Sequence, residues 1–282
     1  MARKSFFERM EREIDFQHEY EKMDDIILND TVGHDTLYEY IALNFERWKE
    51  RRNFASFDEL RKHFDFTYGK GDWVTNYKKI PTASVNNIDT FLLYCEMMVN
   101  MFDGIVFPYA VTTICRKAQM IVDIMLYDLD KLNHEFKDLD DGRIIIVQKD
   151  AGVTAVADII EQALADAIVE YNHYLLKGNI EKKKSILKMV ADALEPKRSE
   201  LDQINKSFTS DLFFMVNNMN IRHNNCDNTD IKTYNSTFAS LSPKDVEAWY
   251  DDIFQQELMA FLILEQKKRN ARIEAFKKNM KK

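Results

Sequence analysis

The sequence is poor in the residues that interrupt helices. Its 282 residues include seven glycines and four prolines, and an all-β domain or an enzyme built on glycine-rich loops would need more of both. Hydrophobic residues make up 45% of the chain and charged residues 30%, which is the usual balance of a globular protein with a core. The scarcity of helix breakers therefore predicts an all-α protein with long helices.

Signatures of metal and cofactor chemistry are also missing. The three cysteines, at positions 95, 115 and 226, lie far apart and belong to no CxxC or Cys/His cluster, which excludes zinc and disulfide frameworks of known spacing. The HExxH and GxSxG motifs do not occur, and Gly69-Lys70-Gly71 lacks the Gly-Lys-Ser/Thr ending of a P-loop. We therefore expect neither a metal site nor a cofactor.

Long apolar runs are absent as well. No stretch reaches the roughly 18 consecutive apolar residues that a membrane span needs. Charged residues are interspersed through the first thirteen positions, where a signal peptide has its apolar core. The sequence therefore predicts a cytoplasmic protein without a membrane partner.

Positive charge is concentrated at the C-terminal end of an otherwise acidic chain. The net charge is −8, and residues 266–282 hold eight Lys or Arg and one Glu, so this tail carries +7 and the remainder −15. An acidic body disfavours extensive binding to a nucleic-acid backbone. The basic tail is either a solvated helix end, where the helix dipole favours cations, or a contact for nucleic acid or an acidic partner.

Apolar residues repeat at helical spacing along most of the chain. The predicted helices are residues 4–28, Thr36–Arg51, Ser56–Phe64, Asn86–Asp103, Pro108–Phe136, Thr154–Lys177, Ile180–Glu195, Lys197–His223 and a last helix from Pro243. They indicate an up-and-down bundle of five long helices behind a smaller N-terminal part, with Gly104 ending one helix as its C′ residue. We divide the chain into an N-terminal helical region (1–83), a bundle (84–265) and a basic helical tail (266–282), with the softest boundary in the loop at 67–83.

One short segment departs from the helical pattern. Residues Ile144–Val147 are all β-branched and are bracketed by Gly142 and Gly152, which predicts extended structure. Because one strand cannot form a sheet alone, the segment either pairs in a small ribbon, pairs within a dimer, or lies extended across the bundle. The fold is therefore expected to contain at most one short strand or β ribbon.

The stretch Asp211–Asn228 holds the most unusual side chain of the sequence. An apolar stripe with steps of three and four residues leads to Arg222, and its members are Leu201, Ile204, Phe208, Leu212, Met215 and Met219. Asn218 shares the face of Arg222 one turn earlier. Since a buried guanidinium needs acceptors, Arg222 is expected to be at least half buried and paired with another helix. The alternative is a helix end that reaches water and bonds its own last carbonyls.

A long helix that ends in Arg222-His223 within a helical bundle resembles the HEPN superfamily, whose motif is an Arg followed after four to six residues by a His. Asp227, Asn228 and Thr229 stand where the distal His is expected. The resemblance implies metal-independent RNA cleavage through the RNA 2′-hydroxyl, in bacterial phage defence or a toxin system. In it Arg222 would stabilise the developing phosphorane charge, and His223 would act as the acid/base.

The remaining members of the candidate site are amides. In the ribonuclease hypothesis Asn218, Asn224 and Asn225 would orient the phosphate or ribose of an RNA substrate. The alternative hypothesis is a catalytically silent interaction or regulatory module, in which the Arg-His-Asn cluster fixes a loop or a homodimer and the partner is a protein or a second copy. Six asparagines within Asn217–Asn228 also suit a plain helix end, because Asn tolerates left-handed backbone.

Overall fold

The computed structural model describes residues 14–29, 31–32, 35–66, 68–69, 80–81, 84–105 and 112–280. The chain divides into two compact units, Met1–Ile146 (unit 1) and Val147–Lys282 (unit 2). The sequence divisions after residues 83 and 265 followed a loop and a charge run, whereas this division follows contacts between elements. The described residues leave out the start of the first predicted helix, at residues 4–13, most of the loop at 67–83, and the predicted helix start at Pro108.

Unit 1 consists of helices joined by short ribbons. Its helices are α1 (Phe16–Leu28), α2 (Leu37–Asn44), α3 (Phe57–His63), α4 (Ile88–Gly104) and α5 (Thr112–Lys131), with 3-10 turns at Phe45–Arg47 and Lys49–Arg51. The paired strands are β1 (Thr31–Val32) with β2 (Asp35–Thr36), β3 (Tyr68–Gly69) with β4 (Ile80–Pro81), and β5 (His134–Asp138) with β6 (Ile144–Gln148). The predicted all-α class is confirmed. The two pairings of two-residue strands come in addition to the one ribbon that the sequence allowed.

The β-branched run at Ile144–Val147 forms the predicted strand, β6. Its pairing with β5 shows that the predicted continuation of α5 to Phe136 is wrong. The helix ends at Lys131, and the chain turns at Asn133, which has a left-handed φ of 58°. The apolar spacing continues across this turn, so the spacing alone could not show where the helix ends. The predicted strand at Ile144–Val147 did require a second strand to pair with, and β5 is that strand.

Gly104 is required for close packing and not as a C′ residue. It is the last residue of α4, and Ile105 behind it is extended. A Cβ on Gly104 would lie 2.0 Å from Cδ1 of Trp48, whose indole is buried. The expected role of Gly104 is therefore corrected: the absence of a side chain allows the indole to pack on the helix end.

A fully buried ion pair joins the helices of unit 1. Arg61 of α3 donates from Nη1 to Asp24 Oδ1 at 2.7 Å and from Nη2 to Asp24 Oδ2 at 2.6 Å, and its Nε donates to the carbonyl of Phe66 at 3.0 Å. The hydroxyls of Tyr20 and Tyr94 also donate to this carboxylate, at 3.2 and 2.9 Å. Each carboxylate oxygen of Asp24 thus accepts two hydrogen bonds. These bonds compensate for the hydration that both charged groups lose on burial.

Beyond Gln148, the elements of unit 2 are helices joined by loops. Its helices are α6 (Ala151–Ala157), α7 (Gln162–Tyr171), α8 (Ile180–Leu194), α9 (Arg198–Ile204), α10 (Lys206–Asn218), α11 (Ser236–Ala239) and α12 (Pro243–Met280), with 3-10 turns at Tyr174–Leu176 and Glu195–Lys197. The last helix packs against α6, α8, α9 and α10. Its N-terminal cap is Ser242, whose Oγ accepts from the Asp245 amide at 3.3 Å. In the described part of the chain no helix combines the length and the apolar character that crossing a membrane requires.

Two predicted helices of unit 2 are each split in two. The helix expected at Thr154–Lys177 is interrupted between α6 and α7, and the helix expected at Lys197–His223 is interrupted at Asn205. The side chain of Asn205 accepts from the Phe208 amide at 3.1 Å and so caps α10. This local hydrogen bond competes with helix continuation, which is why the apolar stripe was misleading across it. The helix also ends at Asn218, earlier than predicted.

We predict that Arg61→Ala lowers the free energy of unfolding of unit 1 by about 3–5 kcal/mol, because it leaves the buried Asp24 carboxylate without its cation. The matched control is Arg143→Ala, since Arg143 pairs with Asp141 in water with both side chains about half exposed. This control should cost less than about 1 kcal/mol. Urea unfolding followed by hydrogen exchange in peptides of unit 1 measures both, and equal losses in the two variants would contradict the prediction.

Candidate functional site

The polar cluster begins where α10 stops. Met219 closes the helix by donating its amide to the carbonyl of Met215 at 2.9 Å, and Asn220 takes a left-handed φ of 59°. Asn is one of the few residues that adopt this conformation at low cost. The reversal buries Ile221 and lets the amide of Arg222 reach back to the carbonyl of Val216 at 3.3 Å. Arg222 therefore follows the helix instead of continuing its stripe.

The guanidinium of Arg222 is bound to the C-terminal end of α8. Nη2 donates to the carbonyl of Ala191 at 2.7 Å, Nη1 pairs with the carboxylate of Glu195, and Nε lies 3.5 Å from Oδ1 of Asp192. The Arg222 side chain is 15% exposed, and its guanidinium lies 5.6 Å from the centroid of the Phe213 ring. A cation here also meets the negative end of the α8 dipole. The expected burial and pairing with another helix are thus confirmed.

The loop that follows is closed by two asparagines. The amide of Asn220 donates to Oδ1 of Asn225 at 2.7 Å, and the amide of Asn225 donates to Oδ1 of Asn220 at 3.2 Å. Nδ2 of Asn225 donates to the carbonyl of Thr233 at 2.6 Å, and its carbonyl accepts from the amide of Asn235 at 2.9 Å. Asn225 is buried. These contacts join both ends of residues 219–235, which we call the Asn loop.

The structure separates the five predicted site residues into two groups. Arg222 and Asn225 are buried or mostly buried and hold backbone in place, and Asn218 donates to the carbonyl of Phe214 within its own helix at 2.8 Å. His223 and Asn224 are exposed. Only these last two face solvent as a ligand would require, and the acceptors around Arg222 come from α8, which sequence spacing did not indicate.

One buried acid near this cluster was missed. Glu257 of α12 is fully buried, and neither carboxyl oxygen has a hydrogen-bond partner among the described residues. It stands one turn from Ile253 and one turn from Phe261 on the buried face of the helix. A glutamate between two apolar residues at helical spacing was the available signal. In the part of the chain that the structure describes, no group of three or more His, Cys, Asp or Glu is arranged to hold a metal ion.

Burial decides the protonation of Glu257. It raises the pKa of this carboxyl well above its ordinary range, the charge of Arg222 lowers the pKa, and the charge of Asp192 raises it. Burial is the largest of the three effects, because an isolated carboxylate loses its hydration in the core. The folded unit therefore favours the neutral form of the Glu257 carboxyl.

We predict that Arg222→Ala lowers the free energy of unfolding of unit 2 by about 1–3 kcal/mol, because the carbonyl of Ala191 and the carboxylate of Glu195 lose their donor. His223→Ala is the matched control, since its side chain is exposed, and it should change stability by less than about 0.5 kcal/mol. Thermal and urea unfolding measure both. Equal effects of the two substitutions would show that the contact to α8 contributes nothing.

We predict a pH dependence of stability that Glu257→Gln removes. The folded pKa lies above the unfolded one, so the stability of the neutral acid is fully present below the unfolded pKa and is lost as pH rises through the folded pKa. Between these values the wild type should lose about 1.4 kcal/mol per pH unit relative to Glu257→Gln. Urea unfolding of unit 2 at several values from pH 5 to pH 8 tests this, and parallel curves would contradict it.

Comparisons of the chain with protein-family models, with curated proteins and with solved structures found no match. The likeness to the HEPN superfamily therefore stands on Arg222-His223 and the helical context alone, and it stays a prediction.

Proposed function

We propose that the chain is a catalytically silent helical interaction module, and that the Asn loop is one of its contact surfaces. The observation that carries this proposal is that the guanidinium of Arg222 is already paired. Its Nη1 and Nη2 are bound to Glu195 and Ala191, and its Nε, which makes no hydrogen bond among the described residues, lies 3.5 Å from Asp192. The side chain therefore holds the loop against the helices, and both of its terminal nitrogens are already paired.

The exposed part of the Asn loop has the character of a binding surface. Ile231 is 88% exposed and Tyr234 is also exposed to solvent, although the ends of the loop are fixed by Asn220 and Asn225. A loop that is already ordered loses less conformational entropy when it binds. The partner that fits is a protein surface with an apolar pocket for Ile231, either on another protein or on a second copy of the chain.

Site-specific crosslinking in cells tests this proposal. A photoreactive residue in place of Ile231 should give a discrete crosslinked product, whereas the same residue in place of Leu175, which is 55% exposed in unit 2, should not. A product of twice the chain mass would identify the second copy. The same products from both positions, or none from position 231, would exclude the Asn loop as a contact surface.

We propose a metal-independent ribonuclease in bacterial phage defence or a toxin system as the second candidate function. The observation that favours it is the exposure of His223 and Asn224 directly beside Arg222. In this function Arg222 would exchange Glu195 for the scissile phosphate, and His223 would transfer the proton. Asn224 would contact the ribose, since Asn218 and Asn225 already bond backbone carbonyls.

Incubation with a mixed RNA pool in chelator distinguishes the two functions. The interaction module predicts no cleavage by the wild type, even with its cognate partners present. The ribonuclease predicts cleavage that His223→Ala abolishes without a change in thermal midpoint. Cleavage that survives both His223→Ala and Arg222→Ala would exclude the catalytic roles assigned to these two residues.

A further inference from the structure

The last part of α12 extends beyond the core of unit 2. The helix is continuous to Met280, but its last buried side chain is Leu264, and every residue from 266 to 280 is exposed. At about 1.5 Å per residue, this segment is about 22 Å long. We call residues 266–280 the projecting helix.

The projecting helix carries a narrow apolar stripe. Ile273, Phe276 and Met280 are 48%, 65% and 73% exposed, and their steps of three and four residues place them on one face. Arg269 lies one turn before Ile273 on the same face. A solvated helix end needs no large apolar side chains there, so the stripe indicates a surface that is covered by another molecule.

Basic residues flank this stripe on both sides. The six cations of the projecting helix are Lys267, Lys268, Arg269, Arg272, Lys277 and Lys278. Glu274 is the only acid in the segment and pairs with Lys277 at 2.6 Å. Arg272 lies on one flank of the stripe and Lys277 on the other. Among the described residues Arg272 takes part in no ion pair, so its flank keeps a positive charge for a partner.

We propose that the projecting helix pairs with an amphipathic helix of an acidic partner protein, whose own apolar stripe is flanked by Asp and Glu. A stripe of single residues at alternating steps of three and four is the seam of a two-helix coiled coil, and flanking charges select its partner. Arg269 within the seam then meets a carboxylate. Phosphate binding would need the cations but no stripe of Ile, Phe and Met.

A second projecting helix of the same chain is a poor partner. Two such segments would bring their excess positive charges together along the seam, and like charges at flanking positions oppose pairing. The acidic helix is therefore the occupant that satisfies both the apolar stripe and the charge. This surface does not involve the Asn loop, so its test is independent of the function proposed above.

A designed peptide tests the pairing with the full chain. The probe is a labelled amphipathic helix with Leu along its stripe and Glu at the flanking positions, and the control peptide carries Lys in place of every Glu. The acidic peptide should bind with an affinity that falls as salt is raised, because the flanking pairs are exposed. The basic peptide should not bind.

Substitutions in the projecting helix locate the contact. Ile273→Gln and Phe276→Gln should each weaken binding of the acidic peptide about tenfold, since each removes an apolar anchor. Ala271→Gln, on the opposite face of the helix, should leave it unchanged, and circular dichroism verifies that the helix remains. Arg272→Glu with Lys277→Glu should weaken binding and reduce its salt dependence.

Four results would overturn the proposal. The acidic peptide could fail to bind at high micromolar concentration, or bind equally to wild type and to Phe276→Gln. Light scattering could show a dimer of the wild type that Phe276→Gln abolishes, which would make the second copy the partner. Binding of a single-stranded RNA that depends on the cations but is unchanged by Ile273→Gln and Phe276→Gln would identify a nucleic-acid contact instead.

Discussion

The need of a buried guanidinium for acceptors shapes both units. In unit 2 Arg222 joins the end of α10 to the last turn of α8, and in unit 1 Arg61 joins α3 to Asp24 of α1. Hydrophobic burial is not directional, but a charge that is removed from water must keep its partners within hydrogen-bond distance. These two arginines therefore fix the register between helices that hydrophobic burial only brings together.

Apolar spacing predicted the helices that pack along their whole length. The segment predicted as Ile180–Glu195 is α8 (Ile180–Leu194), and the one predicted as Asn86–Asp103 is α4 (Ile88–Gly104). The failures are interruptions: the end of α2 at Asn44 within the predicted helix Thr36–Arg51, the turn at Asn133, the break between α6 and α7, and the cap at Asn205. Each interruption depends on a few hydrogen bonds or on a strand that needs a partner. The spacing of apolar residues indicates neither of these causes.

Part of the candidate site could be predicted from the sequence, and part of it could not. The apolar stripe that leads to Arg222 indicated that this residue is buried. A buried guanidinium in turn requires acceptors. The identity of those acceptors, Ala191 and Glu195, follows from how α8 packs and could not be read from positions about thirty residues away. The burial of Glu257 could have been predicted from the sequence, because this residue interrupts the buried face of α12. The prediction followed the apolar residues around it and overlooked the acid.

Glu257 also makes the measured heat of unfolding depend on the buffer. When unit 2 opens near neutral pH, Glu257 enters water, where its pKa returns to the ordinary range, and it releases its proton to the buffer. A calorimeter then records the heat of buffer protonation together with that of unfolding. Buffers with a large ionisation enthalpy and buffers with almost none should therefore give different calorimetric enthalpies for the same transition.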